Sequence, residues 1–309
     1  MSESYLGVSV IVAAEWLQAF AGHQAAQGKS ERTVMAYCQD LRSFASWYRD
    51  TNGQAFSPEL ITSFDLREYR RWAVDGRRMA PSTWNRKRIG LAVFCQWAQE
   101  TVYLSYDPFQ GIDPWQEAEL PPRWLEKGDY ARFMRQVEQS INGATTDHWR
   151  WQAFRDQAIV ALMVYAGLRE SEVVKLDLRD VGISERKGRV TIWKGKGEKK
   201  REIPLNAEAR RALAMWQEYR EATEGALFVG KTGKRLSTRT VQRRVAEIGR
   251  RAGLEVTPHD LRHTFAKRAL DGGAPLTVVS KLLGHARLET TARYVQPGWG
   301  DYEQAVEGI

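Results

Sequence analysis

The sequence predicts a mainly helical protein in two parts: a helical N-terminal domain, then an α+β domain with a small antiparallel sheet. Three observations point there. Apolar residues recur at helical spacing along much of the chain, as in Val34, Tyr37, Leu41, Phe44 and Trp47. Two stretches, RVTIWKG and KKREIPL, flank Gly195-Lys196-Gly197-Glu198 and read as a strand pair within 181–205. From Asp107 to Pro122, DPFQGIDPWQEAELPP holds four prolines and few periodic positions. That sets a linker at 111–122 between domains at 1–110 and 123–309.

Taken in order, residues 1–8 read as a loose start. A helix follows over Val10 to Gln24, with Val10, Ala13, Leu17 and Phe20 on one side. Gly28-Lys29 breaks it, and Ser30 opens a second helix. A third helix is expected over Ser57 to Ala73 and a fourth over Pro81 to Glu100. Beyond the linker come a helix from Lys127 to Gln139 and a loop from Asn142 to His148. Trp149 to Gly167 is so apolar that it reads as the core helix of the second domain. Asn206 to Ala222 is amphipathic, Ala226 to Val229 is strand-like, and Leu236 to Gly253 forms a helix with Ser237 as its N-cap.

The chain carries a formal charge of +8 and a pI near 9.5, which suits a polyanionic partner. The charge is uneven. Residues 1–115 hold 12 Lys and Arg against 12 Asp and Glu, so the whole excess lies in 116–309. Even so, Asp65 to Arg88 holds eight basic residues against three acids, with Trp72 and Trp84 interleaved. There is no run of eighteen apolar residues and no signal peptide, so no membrane partner is expected. Cys38 and Cys95 have neither metal nor redox spacing, and a cytoplasmic location is the simple reading.

The last fifty or so residues carry the chemistry. They read TPHDLRHTFAKRALDGGAPLTVVSKLLGHARLETTARYV and a short tail. Four groups there can address one phosphodiester: His259, Arg262, His285 and Tyr294. Upstream, AGLRESEV contributes Arg169 and WKGKGEKKREIPL contributes Lys196. A tyrosine hydroxyl can attack phosphorus and hold the strand as an ester. Two arginines offer planar forks to non-bridging oxygens. Thr257 as N-cap, Pro258 and Asp260 mark a helix start, and Arg262 shares a face of that helix with His259. Tyr294 is expected on a last short helix beginning within Leu288 to Val295. A lone tyrosine near a C-terminus is ordinarily packing, and Tyr302 is the nearest rival. His259 and His263 are four apart, but no HExxH pattern or third ligand accompanies them; His263 and Asp260 are expected to support the site from behind.

HDLRHT, LLGHA, a tyrosine nine residues after that histidine and an upstream GLRxSE resemble the tyrosine recombinase (phage integrase) family. The resemblance covers nearly the whole chain. The pattern S-x-R-T-x-x-x-Y-x-x-D-L-x-x-F from Ser30 to Phe44 is similar to the family's helical, SAM-like core-binding domain. The resemblance implies that Tyr294 attacks the scissile phosphate to give a 3′-phosphotyrosine. Arg169 and Arg262 then stabilise the transition state, with His285 helping. Lys196 acts as general acid, with Lys194, Lys199 and Lys200 as rivals; His259 assists proton transfer, and Glu172 orients the site. The alternative for Glu172 is plain charge at a helix N-terminus. No metal or other cofactor is implied.

The implied partner is double-stranded DNA, bound as a homo-oligomer, a tetramer on two sites, with Trp299, Tyr302 and Val306 of the tail as anchors on a neighbouring subunit. Phosphate contacts are expected from Arg70, Arg71, Arg77, Arg78, Arg86, Lys87 and Arg88, with Ser82, Thr83 and Asn85 nearby, and from Arg243 and Arg244. A plain solvated face is the alternative for each cluster. The chain begins almost directly with the first core-type domain, which leans towards a simple recombinase of the Xer or transposon-resolving type. Integration, excision and resolution all stay open. Rival readings are a strand-relaxing topoisomerase, a DNA-binding protein without catalysis and a metal-dependent nuclease.

Overall fold

A computed structural model of the chain describes residues 15–115, 122–194, 199–220, 222, 224–285, 287–295 and 306–307, within two units that divide between Glu119 and Leu120. Among the described residues no helix is long and apolar enough to cross a membrane.

The first unit is helical. It holds α1 (Glu15–Ala26), α2 (Glu31–Asn52), α3 (Ser63–Arg71) and α4 (Pro81–Glu100). Ser30 caps α2 by accepting from the Thr33 N–H, as expected. Aromatic rings fill the centre: Phe44 meets Phe56 and Tyr69 edge-on, with centroids 5.2 Å and 5.1 Å away. The single helix expected over 57–73 is instead interrupted. A 3-10 turn at Pro58–Leu60 gives way to extended Ile61, and α3 restarts behind a reciprocal cap between Thr62 and Asp65. Trp84, read as part of the basic stripe, is fully buried in this core.

The second unit is built round α6 (Asp147–Ala166), which packs against α5 (Lys127–Asn142), α8 (Ala207–Arg220), α9 (Thr238–Arg251) and α10 (Pro258–Asp271). From Ala158 to Val164 every side chain of α6 is buried, so the helix is apolar all round. The sheet has strand order β1 (Val181–Ile183), β2 (Gly188–Lys194), β3 (Lys199–Pro204), all antiparallel. Among the described residues the unit also holds the short helices α7 (Glu170–Val173), α11 (Leu276–Leu283) and α12 (Glu289–Ala292).

Two glycines let these elements meet. Gly167 ends α6 in the left-handed region (φ 64°), and a Cβ there would collide with Phe265 and lie 2.9 Å from Leu283. Gly284 ends α11 at φ 65°, where a Cβ would lie 2.8 Å from Nη1 of Arg201. Gly167→Ala is therefore expected to destabilise the chain by about 2 kcal/mol or more, from strain and overpacking together. Urea unfolding checks it; a loss within about 0.5 kcal/mol would mean that the turn relaxes freely.

Candidate active site

The ends of α6, α10, α11 and α12 bring one group of side chains together. Past the Gly167 turn, Arg169 starts α7 and its N–H donates to Glu172 Oε2 at 2.9 Å. Its Nη1 donates to Glu172 Oε1 at 3.1 Å and to the Leu283 carbonyl at 3.4 Å. Glu172 also receives both Nη groups of Arg201, each at 2.8 Å. Burial alone would raise its carboxyl. The Arg201 fork, the Arg169 N–H and the nearby positive charges outweigh that and hold it below the usual carboxylate range.

Thr257 caps α10, and Asp260 returns a bond to the Thr257 N–H, so the expected helix start is present. One turn on, Arg262 is only 2% exposed. Its Nη1 donates to the Gly167 carbonyl, and its Nη2 donates to the Leu283 carbonyl at 2.7 Å. Two helix C-termini, each the negative end of a dipole, thus hold this guanidinium. Burial first, then neighbouring Arg169, push its pKa down to about 10.

The Nη2 of Arg262 also lies 3.1 Å from His285 Nε2. An arginine only donates, so Nε2 accepts, and the proton of neutral His285 is on Nδ1, where it reaches Thr291 Oγ1 at 2.8 Å. Thr291 is fully buried on α12. Tyr294 follows α12 and is 3% exposed, with its hydroxyl against His263 Nδ1. His263 stacks edge-on with His259 at 4.1 Å between centroids. Burial raises the Tyr294 hydroxyl, and nearby Arg262, Arg293 and Arg169 oppose it.

Of the residues singled out from the sequence, Arg169, Glu172, Arg262, His285 and Tyr294 converge, and His259 joins them through His263. Lys196 lies outside the described residues, as do Trp299 and Tyr302 of the tail; Val306 is exposed. Sequence reasoning missed Arg201 and gave His263 no direct partner, although His263 touches the tyrosine.

The residues expected to meet phosphates divide. Arg71, Arg77, Arg78 and Arg243 are exposed. Arg77 lies 5.0 Å over the Trp72 ring, and half-buried Arg70 is 5.8 Å over Trp115. Arg86, itself solvent-facing, and Lys87, 11% exposed, both bind buried Asp40, at 2.5 Å and 3.1 Å. Arg88 donates to the Ile112 carbonyl at 2.6 Å. Arg244 is 13% exposed and bound to Asp156 at 2.6 Å. Asn85 exchanges bonds with the backbone of Trp115. Internal partners 24 to 88 residues away hold these groups, and local pattern does not reveal them.

The phage integrase family profile matches residues 123–298, and a phage integrase N-terminal SAM-like profile matches 16–103. A tyrosine recombinase XerC of Corynebacterium efficiens is 35% identical over 86% of this chain and 81% of its own length. The XerC of Chromohalobacter salexigens is 32% identical over 92% and 90%. Among solved structures, XerH site-specific recombinase bound to difH substrate superposes with a TM-score of 0.73 at 21% identity, covering 95% of this chain and 84% of that one. A lambda integrase dimer bound to a COC′ core site gives 0.68 at 16%, covering 90% and 93%. These structural likenesses show the fold.

Burial and the surrounding cations lower His263 and His285 to about 4. Both are neutral at pH 7. The unfolded rings titrate near 6.5. The stability that the neutral rings contribute is therefore full above about pH 6.5 and lost as pH falls from there to about 4. Histidine ring NMR titrations, assigned with His263→Asn and His285→Asn, are expected to place both midpoints below 5. Midpoints near 6.5 would contradict the burial argument.

Proposed function

Since the chain belongs to the phage integrase family of tyrosine recombinases, we propose that Tyr294 is its nucleophile and that Arg169, Arg262, His259, His285 and Lys196 serve the same phosphodiester. The protein is a site-specific DNA recombinase. It cleaves and rejoins strands through a 3′-phosphotyrosine and a Holliday junction. The observation that carries the site assignment is the convergence of Arg169, Arg262 and His285, with Tyr294 beside them on His263.

The Tyr294 oxygen forms a bond to phosphorus as the bond to the 5′ oxygen breaks. Its proton passes towards His263 and His259, and the leaving oxygen takes one from Lys196. Glu172 sits among Arg169, Arg201 and Arg262, so the four side chains carry a net +2. That charge suits a transition state more negative than the ground-state diester. No step calls on a metal. Tyr294 is buried in the free chain, so α12 has to shift before the hydroxyl reaches a phosphate. Rejoining reverses these steps with the partner strand's 5′ hydroxyl.

In this reading residues 1–110 grip the DNA and residues 123–309 cut it, as a homotetramer on two sites in the cytoplasm. Arg71, Arg77, Arg78 and Arg243 are exposed cations suited to the phosphate backbone.

Two experiments test the reading. Wild type and Tyr294→Phe are incubated in EDTA with a pool of nicked duplexes, and covalent complexes are sequenced after denaturing gels. Wild type alone is expected to trap DNA at a 3′ phosphate; an adduct surviving in Tyr294→Phe would move the nucleophile, first to Tyr302. In the second, Arg243→Ala is expected to weaken binding to the recovered duplex and to reduce the salt slope by about 1. Lys87→Ala, which removes one of the two cations on buried Asp40 and leaves Arg86, is expected to lower stability by about 1–3 kcal/mol and to leave that slope unchanged. A salt slope reduced only by Lys87→Ala would reverse the assignment.

A further inference from the structure

Strand β3 carries one charge on the wrong side for a simple sheet. Its register puts Val190 opposite Ile203 and Ile192 opposite Arg201, so Arg201 shares a face with three aliphatic residues that are 0–5% exposed. An unpaired guanidinium would be costly there. Arg201 is 11% exposed, and both its Nη groups go to Glu172. Its Nε is buried without a hydrogen-bond partner. The same guanidinium crosses directly over Gly284, the residue before His285.

We propose that Arg201 is a positioning residue for strand cleavage, clamping both oxygens of Glu172 and bracing the Gly284 turn so that Arg169 and His285 stay aimed at the phosphate. This inference rests on the strand-cleavage reading above. With both Nη groups committed, Arg201 is placed to act through its neighbours. Glu172 receives two separate bonds from Arg169, one from its N–H and one from its side chain. A carboxylate held by a parallel fork cannot rotate, and so fixes Arg169 in turn. A lysine supplies a point charge in place of the fork. The tight passage over Gly284 ties the same guanidinium to the turn that leads into His285.

The test uses the full chain and the nicked duplex recovered by wild-type trapping. Single-turnover adduct rates and duplex dissociation constants are measured for wild type, Arg201→Lys, Glu172→Gln and the double variant, with thermal melts as a folding control. Arg201→Lys is expected to slow adduct formation by about 10- to 100-fold, the scale of a small misplacement at a reacting centre. Duplex affinity is expected to change by less than about threefold. On the Glu172→Gln background the same substitution is expected to cost less than about threefold, because the group through which it acts has already been altered. Arg201→Met gives a second readout: without the fork, Glu172 protonates at higher pH, so the adduct rate falls on the acid side of a range where wild type is flat.

Wild-type rates in Arg201→Lys would overturn the proposal. So would a loss that adds in full to that of Glu172→Gln, or an Arg201→Met pH profile that overlays the wild type. Wild type forming no adduct would sink the cleavage reading itself, and this inference with it, which is a separate and visible failure.

Discussion

A single carboxylate settles the charge at the heart of the second unit. Glu172 receives Arg201 through two bonds and Arg169 through two more, and Arg262 stands 3.9 Å away. Without it three guanidiniums, those of Arg201 and Arg262 nearly buried, would face one another, and mutual repulsion would drive them apart. The helix ends answer the remaining charge. The carbonyls of Gly167 and Leu283 both accept from Arg262, so the C-termini of α6 and α11 meet at one cation. The left-handed turns at Gly167 and Gly284 make that meeting possible. Packing, backbone conformation and electrostatics therefore specify the same few atoms.

Local signals in the sequence are strong at three capped helix starts. Ser30, Ser237 and Thr257 each accept from the expected backbone N–H, and α10 starts where its proline and aspartate indicated. The sequence reads 57–73 as one helix. The Thr62–Asp65 cap, which restarts the helix, depends on two side chains inside that stretch. The strand pair was legible from alternation, and the same alternation contained the missed residue: in KKREIPL, Arg201 is in phase with Ile203 and Leu205.

Long-range pairing is where sequence reading ends. A basic run such as Arg86, Lys87 and Arg88 looks like a surface, yet Asp40 lies 46 residues from Arg86 and buries its carboxylate beneath two of the three. Arg244 is held by Asp156 from 88 residues away. Charge composition registers that a cation is present but not whom it faces. His263 shows the same limit on a finer scale. Its place on α10 followed from helical spacing, while its contact with Tyr294 required α11 and α12 to fold back over it.

The buried tyrosine bears on how such a protein meets a chromosome. On the proposed reading, affinity for DNA and competence to break it are different states of one chain, because the attacking oxygen is buried against His263 until the segment that carries it moves. Encounters with the vast excess of irrelevant sequence then pass without a nick, however tightly the backbone is held. Fidelity would be enforced after docking, by whichever duplex supplies enough interaction energy to lift the segment, and the rate of that opening would set the tempo of the whole reaction.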